Sequence, residues 1–200
     1  MKKIITIGRQ FGSGGREVGQ KVAQALHIAY YDKELLAVAA KKSGLSSQFM
    51  NTYDEKPTRS FLYSLVMGQR GLFTDSAEAT VEQLAANAQR DAILAVAGEG
   101  SCVIVGRCAD HVLRNEQGLL RVFLTADHGD RIQRICRRDG VTAAEAEEKL
   151  QRMDRSRAAY YRFRCDQTWG AAANYDLCIN VSRWGVDAAV ETIVERCSRS

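Results

Sequence analysis

A glycine-rich segment near the N-terminus of the 200-residue chain has the composition of a phosphate-binding loop. It follows an apolar run, residues 4–7, and consists of small residues, a cation and a carboxylate: Gly12, Ser13, Gly14, Gly15, Arg16 and Glu17. Glycines allow backbone N–H groups to converge on anionic oxygens, and the start of a following helix adds a favourable dipole. Residues 12–17 are therefore predicted to bind the phosphates of a nucleotide, with a strand–helix turn that has no ligand as the alternative.

This segment departs from the strict P-loop pattern, G-x-x-x-x-G-K-[ST], in its cation. Gly15 stands at the lysine position and Arg16 at the Ser/Thr position, while Arg9 stands at the first glycine. Arg16 is the nearest cationic replacement for the lysine, and Arg9 is a second candidate. The sequence alone leaves open which of the two takes its place.

Arginine is the main cation of the chain. It supplies 20 of the 28 basic residues, yet the formal net charge is only +4, which is too small an excess to indicate a nucleic-acid binder. The guanidinium group suits bidentate contact with phosphate. Nine arginines fall within residues 131–164. Among them, Arg134, Arg137 and Arg138 fit either a solvated helix face paired with acids or a phosphate-binding surface.

Five short apolar runs alternate with segments of helical period. They lie at residues 4–7, 28–31, 102–105, 122–124 and 177–181. Short apolar runs that are each followed by a helix are typical of buried parallel strands, so the fold class is predicted as α/β, with helices on both faces of the sheet. Residues 33–97 show no convincing strand and are predicted to form an inserted helical lobe of a single domain, residues 1–200. Thr142, three residues before Glu145, is a predicted helix cap.

Polar residues follow two of the predicted strands. Asp32 comes after the second run and Arg107 after the third, with Asp110 close behind. Ligands of open α/β sheets bind at the carboxyl ends of the strands, so these three residues are predicted to hold a phosphate acceptor. The alternatives are a helix cap for Asp32 or Asp110 and a surface role for Arg107.

Composition also excludes several classes of protein. No stretch of about 18 apolar residues is present, so no membrane span is expected. The N-terminal apolar run is too short for a secretory signal. Six cysteines without a CxxC pair favour reduced thiols in a cytoplasmic protein, and the three histidines are not spaced as zinc ligands.

Residues 4–26 and 30–35 resemble the cytidylate kinase-like family, a branch of the P-loop nucleoside monophosphate kinases. The similarity continues through Gly106-Arg107, residues 122–126 and the arginine-rich stretch to Tyr161, and is weak in the helical middle. It implies a three-layer α/β/α P-loop fold with a five-stranded parallel sheet, an inserted lobe and an arginine-rich lid at residues 131–164. It also implies transfer of the γ-phosphoryl group of ATP to a nucleoside monophosphate, with Mg²⁺ as the cofactor.

The resemblance assigns roles to particular residues. It implies catalytic contacts to the transferring phosphoryl group from four arginines: Arg16, Arg152, Arg155 and Arg157. Mg²⁺ would be held through the ATP phosphates, with Ser13 as a candidate ligand. The chain departs from the family where the P-loop lysine and threonine become Gly15 and Glu17 and where a base-contacting aspartate becomes Ser156.

Three other functions stay open. The chain could phosphorylate a different small acceptor, bind nucleotides as a regulatory protein with little turnover, or use its arginines on a nucleic acid. We expect small-molecule nucleotide partners and no membrane association, with nucleic acid the weakest of these alternatives. The sequence does not predict an oligomeric state.

Overall fold

The computed structural model describes residues 2–32, residue 35 and residues 75–199, with side chains from residue 86 onward in the last range. These residues contain one parallel sheet in the order β2-β3-β1-β4-β5. Its strands are β1 Ile4–Arg9, β2 Ala29–Tyr31, β3 Cys102–Val105, β4 Leu119–Thr125 and β5 Leu177–Asn180. The predicted α/β class and the five-stranded parallel sheet are confirmed.

Seven α-helices lie in the described residues, with a 3₁₀ turn at Ala172–Asn174. They are α1 Gly15–Leu26, α2 Asp75–Glu99, α3 Ala109–Val112, α4 His128–Asp139, α5 Ala143–Cys165, α6 Val181–Trp184 and α7 Val186–Ser198. The predicted cap of α5 is confirmed, because Thr142 and Glu145 form a reciprocal capping box.

Helices cover both faces of the sheet. Alternate residues of β1 point in opposite directions, so Ile5 packs with Val22 of α1 and Ile193 of α7, whereas Ile4 packs with Ile93 of α2. Both clusters are almost completely buried. Burial on both faces explains why the strand sequences are continuously apolar rather than alternating.

The predicted inserted lobe, residues 33–97, falls largely outside the described residues. Its last part forms α2, which packs on the sheet through residues near its C-terminus such as Ala92 and Val96. The organisation of residues 1–200 as a single domain stays a prediction. No helix in this part of the chain is both long and apolar enough to cross a membrane.

Candidate functional site

The glycine-rich loop connects β1 to α1 at the carboxyl edge of the sheet. Gly12 and Gly14 have positive φ values of 79° and 86°, which favour glycine. A Cβ atom on Gly12 would lie 2.8 Å from the carbonyl oxygen of Arg131, and one on Gly14 would meet the guanidinium of Arg134. Gly12 therefore lets α4 approach the loop closely, while the N-terminus of α1 lies beside the adjoining space.

A cavity of about 920 Å³ opens beside this loop. Among the described residues, eight cationic side chains and three carboxylates line it. The cations are Arg9, Arg16, Arg107, Arg134, Arg137, Arg138, Lys149 and Arg157, and the carboxylates are Glu17, Asp32 and Asp139. Cations concentrated in a cleft with low-dielectric walls attract anions strongly, so this cavity suits a polyphosphate.

Asp32 links three arginines at the ends of different elements. Nε and Nη2 of Arg16 donate to its Oδ2 at 2.8 and 2.6 Å, and Nη1 of Arg107 donates to its Oδ1 at 2.9 Å. Nη2 of Arg9 lies 3.9 Å from Oδ1. Burial alone would raise the pKa of this carboxyl, but the charges of Arg107 and Arg9 and hydrogen bonds from Arg107 and Arg16 lower it below its usual value. An ionised Asp32 therefore holds these cations together.

The backbone after β3 is strained. Gly106, Arg107 and Cys108 have successive positive φ values of 79°, 58° and 55°. Non-glycine residues rarely adopt this conformation, and such strain concentrates where a chain positions groups for a ligand. The consequence here is that the Arg107 side chain turns inward, where it is buried and also donates to the carbonyl oxygen of Val105 at 2.9 Å.

Asp110 lies in a second, much smaller cavity of about 20 Å³ with an aromatic wall. The wall consists of Tyr160, Tyr161, Trp169 and Tyr175. Burial raises the pKa of Asp110, even though its Oδ2 accepts a 2.6 Å hydrogen bond from the hydroxyl of Tyr161. Burial and the charge of Asp110 in turn raise the pKa of Tyr161. Three arginines line both cavities: Arg9, Arg107 and Arg157.

Helices α4 and α5 are tied to the glycine-rich loop through Phe11. Nε of Arg131 donates to the carbonyl oxygen of Phe11 at 2.7 Å, and the backbone N–H of Phe11 donates to Oδ1 of Asp154 at 2.8 Å. Arg131 and Asp154 also form an ion pair with each other. The guanidinium carbons of Arg138 and Arg157 lie 4.8 and 5.6 Å from the centre of the Phe11 ring. The predicted lid region is thus in contact with the predicted phosphate loop.

The structure separates the arginines that the family resemblance singled out. Arg157 lies at the site, where its Nη1 donates to the carbonyl oxygen of Arg9 at 3.2 Å. Arg152 is exposed, and Arg155 donates to the side chain of Gln151 at 2.9 Å. Neither of these two lines the large cavity in the described part of the chain.

Ser13 also lies away from the cavity. It is fully buried, and its hydroxyl donates to the carbonyl oxygen of Gln10 at 2.9 Å. By contrast, Arg16 and Glu17 stand on the exposed first turn of α1 and line the cavity. Of the acceptor-binding set, the structure brings Asp32 and Arg107 into direct contact but places Asp110 in the smaller cavity.

Several cavity residues were underrated or missed from the sequence. Arg134, Arg137 and Arg138 line the cavity, which favours the phosphate-binding alternative over a purely solvated face. Their spacing of three and four residues is a usable signal, but it fits both alternatives. Lys149 also lines the cavity, and no sequence pattern marks it. Hydrogen bonds from Arg138 and from Lys149 lower the pKa of Asp139.

Comparison with known proteins agrees with this arrangement. The sequence model of the cytidylate kinase-like family matches residues 4–183. The cytidylate kinase of Methanopyrus kandleri is 24% identical over 212 residues, which cover 96% of this chain and 95% of the relative. A solved structure of an uncharacterized protein from Eubacterium ventriosum is 28% identical with a TM-score of 0.74, and the match covers 100% of both chains.

The fold recurs in more distant kinases. The structure of shikimate kinase from Bacteroides thetaiotaomicron has a TM-score of 0.55 at 16% identity, over 99% of both chains, which shows a shared architecture. The family match, in contrast, spans most of the present sequence and includes the glycine-rich loop, Asp32 and Arg107. The chain therefore belongs to the cytidylate kinase-like family.

Proposed function

We propose that this protein is an ATP-dependent phosphotransferase that moves the γ-phosphoryl group of ATP to a nucleoside monophosphate or a similar small acceptor. The observation that carries the proposal is the large cavity, in which eight cations of the described residues and the N-terminus of α1 surround the space next to the glycine-rich loop. A nucleoside triphosphate and a monophosphate together bring several negative charges, which this excess of cations would balance.

The large cavity has room for both substrates, and the residues that line it suggest where each one binds. The ATP phosphates would lie over residues 12–17, where backbone N–H groups and α1 favour anions. The acceptor would lie at the ends of β2 and β3, near Asp32 and Arg107, with Asp110 at its far side. Arg157 lines both cavities, so it would contact the phosphoryl group between donor and acceptor.

The phosphoryl transfer requires little covalent chemistry from the protein. An oxygen of the acceptor phosphate bonds to the γ-phosphorus as the bond to the β,γ-bridging oxygen breaks, and the electron pair leaves with ADP. The acceptor phosphate is already anionic, so no general base is required. Arg157 and the arginines of α4 that line the cavity would stabilise the charge on the transferring group, with Arg16 or Arg9 in place of the P-loop lysine. For Arg152 and Arg155, the proposal requires α5 to shift when substrates bind.

The residues present fit a magnesium ion that is held mainly by phosphate. Mg²⁺ commonly keeps water and substrate oxygens as ligands, with one or two carboxylates from the protein. Asp32 and Asp139 are engaged with arginine and lysine, and the hydroxyl of Ser13 is donated to a carbonyl. Glu17, on the first turn of α1, lines the cavity and among the described residues pairs only with Lys21, at 3.7 Å, so it is the carboxylate best placed to add a ligand. Bound Mg²⁺ would neutralise part of the phosphate charge.

A panel of acceptors tests this function. Purified protein, Mg²⁺ and ATP labelled in the γ-phosphate would be incubated with CMP, UMP, AMP, GMP and phosphate-free alcohols. We expect label on at least one nucleoside monophosphate, and kcat/KM reduced about 100-fold or more by Arg107→Met, since a buried charged contact to the acceptor is lost. Arg199→Met is the control, because that side chain is exposed at the C-terminus and pairs with Glu195.

A nucleotide-binding protein without turnover is the second candidate. The observation that favours it is Gly15 at the position where the family has its phosphate-binding lysine. It predicts tight ATP binding with no label on any acceptor in the panel. Label on an alcohol but on no monophosphate would instead keep the phosphotransferase and change its acceptor. A cytoplasmic location is proposed with either function, because all six cysteines are free thiols.

A further inference from the structure

The side chain of Arg9 takes up the space beside Gly15. A Cβ atom built on Gly15 would lie 2.6 Å from Cβ of Arg9 and 2.8 Å from its Cγ. Side-chain atoms do not approach so closely, so a lysine at position 15 and the observed path of Arg9 exclude one another. The absence of a side chain at Gly15 therefore leaves room for the Arg9 side chain, which passes the start of α1 at this point.

The guanidinium of Arg9 ends at the junction of the two cavities. Arg9 lines both of them, and its Nη2 is 3.9 Å from Oδ1 of Asp32, the oxygen that also accepts from Arg107. Only 12% of the Arg9 side chain is exposed. A cation at this junction lies between the space assigned to the donor phosphates and the space assigned to the acceptor.

Arg16, the other candidate, is placed differently. Both of its donated hydrogen bonds go to Oδ2 of Asp32, and 57% of its side chain is exposed. A cation close to water interacts more weakly with an anion than one in a less polar environment. Position and burial therefore favour Arg9 over Arg16 as the group that contacts the terminal phosphates.

We propose that Arg9, reaching over from the end of β1, supplies the phosphate-binding cation that P-loop kinases take from a lysine at the start of the helix. The exchange of lysine for Gly15 and the presence of Arg9 are then one change, because the glycine makes room for the arginine. The planar guanidinium offers a fork of N–H donors and can contact oxygens of two phosphates. This inference rests on the proposed function for its substrate, ATP.

Binding measurements test the inference without relying on turnover. Dissociation constants for MgATP and for adenosine would be measured by calorimetry on the full chain. Arg9→Gln keeps a polar side chain of related shape but removes the charge, so we expect MgATP to bind about 30-fold more weakly. Adenosine lacks phosphates, and its binding should change less than about threefold. Arg9→Lys should stay within about fivefold of wild type.

A transplant of the cation is the sharper test. In the Arg9→Gly background the space beside Gly15 is free, so Gly15→Lys would return a lysine to the start of α1. We expect the double variant to bind MgATP at least about tenfold more tightly than Arg9→Gly alone. Thermal denaturation reports whether each variant folds, and Arg199→Gln controls for loss of charge elsewhere. If Arg9→Gln does not fold, Arg9→Lys and the double variant still test the proposal.

The outcomes separate this inference from the proposed function. Wild-type affinity for MgATP in Arg9→Gln, or no gain from Gly15→Lys, would overturn the role of Arg9. A thirtyfold loss in Arg16→Gln with none in Arg9→Gln would assign the role to Arg16 instead. If MgATP binding depends on Arg9 but no acceptor is phosphorylated, the phosphotransferase proposal fails and the assignment of Arg9 stands.

Discussion

Asp110 is a buried acid whose surroundings destabilise its charged form. Burial raises its pKa, and the hydrogen bond from Tyr161 offsets this only in part. Below the pKa of the unfolded chain, near 3.8, the carboxyl is protonated in both states and makes no difference to the pH dependence. As the pH rises past that value the folded state retains the proton longer, so the free energy of unfolding falls until the pH exceeds the pKa of the folded state.

Asp110→Asn should remove this pH dependence. Asparagine has a similar shape and can accept the hydrogen bond of Tyr161 without becoming charged. We expect the variant to gain stability relative to wild type as the pH increases from 3 to 7, by about 1.4 kcal/mol for each unit of pKa shift. Urea denaturation at a series of pH values measures the difference. An offset between variant and wild type that is the same at every pH would refute the idea.

Asp32 shows how far a single position could be predicted. Its place after a strand indicated the ligand-binding edge, and the structure puts it there. The sequence does not predict which side chains bond to this carboxylate, because Arg16 and Arg107 lie 16 residues before it and 75 residues after it. Contacts across such distances depend on the order of strands, which no local pattern contains. The sequence predicted that Asp32, Arg16 and Arg107 belong to one site, but not that the two arginines bond to this carboxylate.

One ion pair contributes strongly to the contact between the lid helices and the glycine-rich loop. Arg131 of α4 and Asp154 of α5 bond to each other and to opposite backbone groups of Phe11, and Arg131 is buried. Removing Arg131 leaves the carboxylate of Asp154, whose side chain is only 18% exposed, without its counter-ion. Arg131→Met should therefore lower the free energy of unfolding by about 3 kcal/mol, measured by urea denaturation.

A double-mutant cycle is the control for that ion pair. Replacing both partners, as in Arg131→Met with Asp154→Leu, removes both charges and should recover part of the loss. The backbone N–H and carbonyl of Phe11 lose their partners in this variant, so recovery should be incomplete. If the two single losses simply add, the side chains do not act as a pair.

Helix α4 illustrates why some elements were easier to predict than the surfaces they present. Its existence follows from composition and period, but Arg134, Arg137 and Arg138 give the same spacing on a solvated face and at a binding site. The deciding fact is tertiary, since Gly12 lets the backbone of the helix approach the loop closely. A sequence pattern describes which residues share a face, whereas the packing of other elements decides what that face meets.

The whole sheet could be predicted because buried strands have a distinctive, continuously apolar sequence. Strands covered on both faces read as short apolar runs, and all five were located within about three residues of their observed ends. No comparable sequence pattern predicts the cavities. The smaller one is bounded by residues from β1, the turn after β3, α5 and the segment before β5, such as Gly8, Cys108, Tyr161 and Trp169. Only the assembled fold brings those segments together.

The excess of cations in the large cavity makes the stability of the folded chain depend on anions. Eight cations and three carboxylates line it in the described residues, so like charges repel one another until a polyanion binds. We expect MgATP at about 100 times its dissociation constant to add about 2.7 kcal/mol of stability. For a chain of 200 residues this raises the midpoint of thermal unfolding by about 5–10 °C.

Tripolyphosphate should also raise this midpoint and AMP should raise it much less, because the cavity recognises charge density beside the loop. Arg134→Gln with Arg137→Gln should reduce the shift caused by tripolyphosphate, whereas Arg199→Gln should not. Scanning calorimetry at low ionic strength measures these shifts, and equal stabilisation by AMP and tripolyphosphate would show that the cavity does not select for polyphosphate.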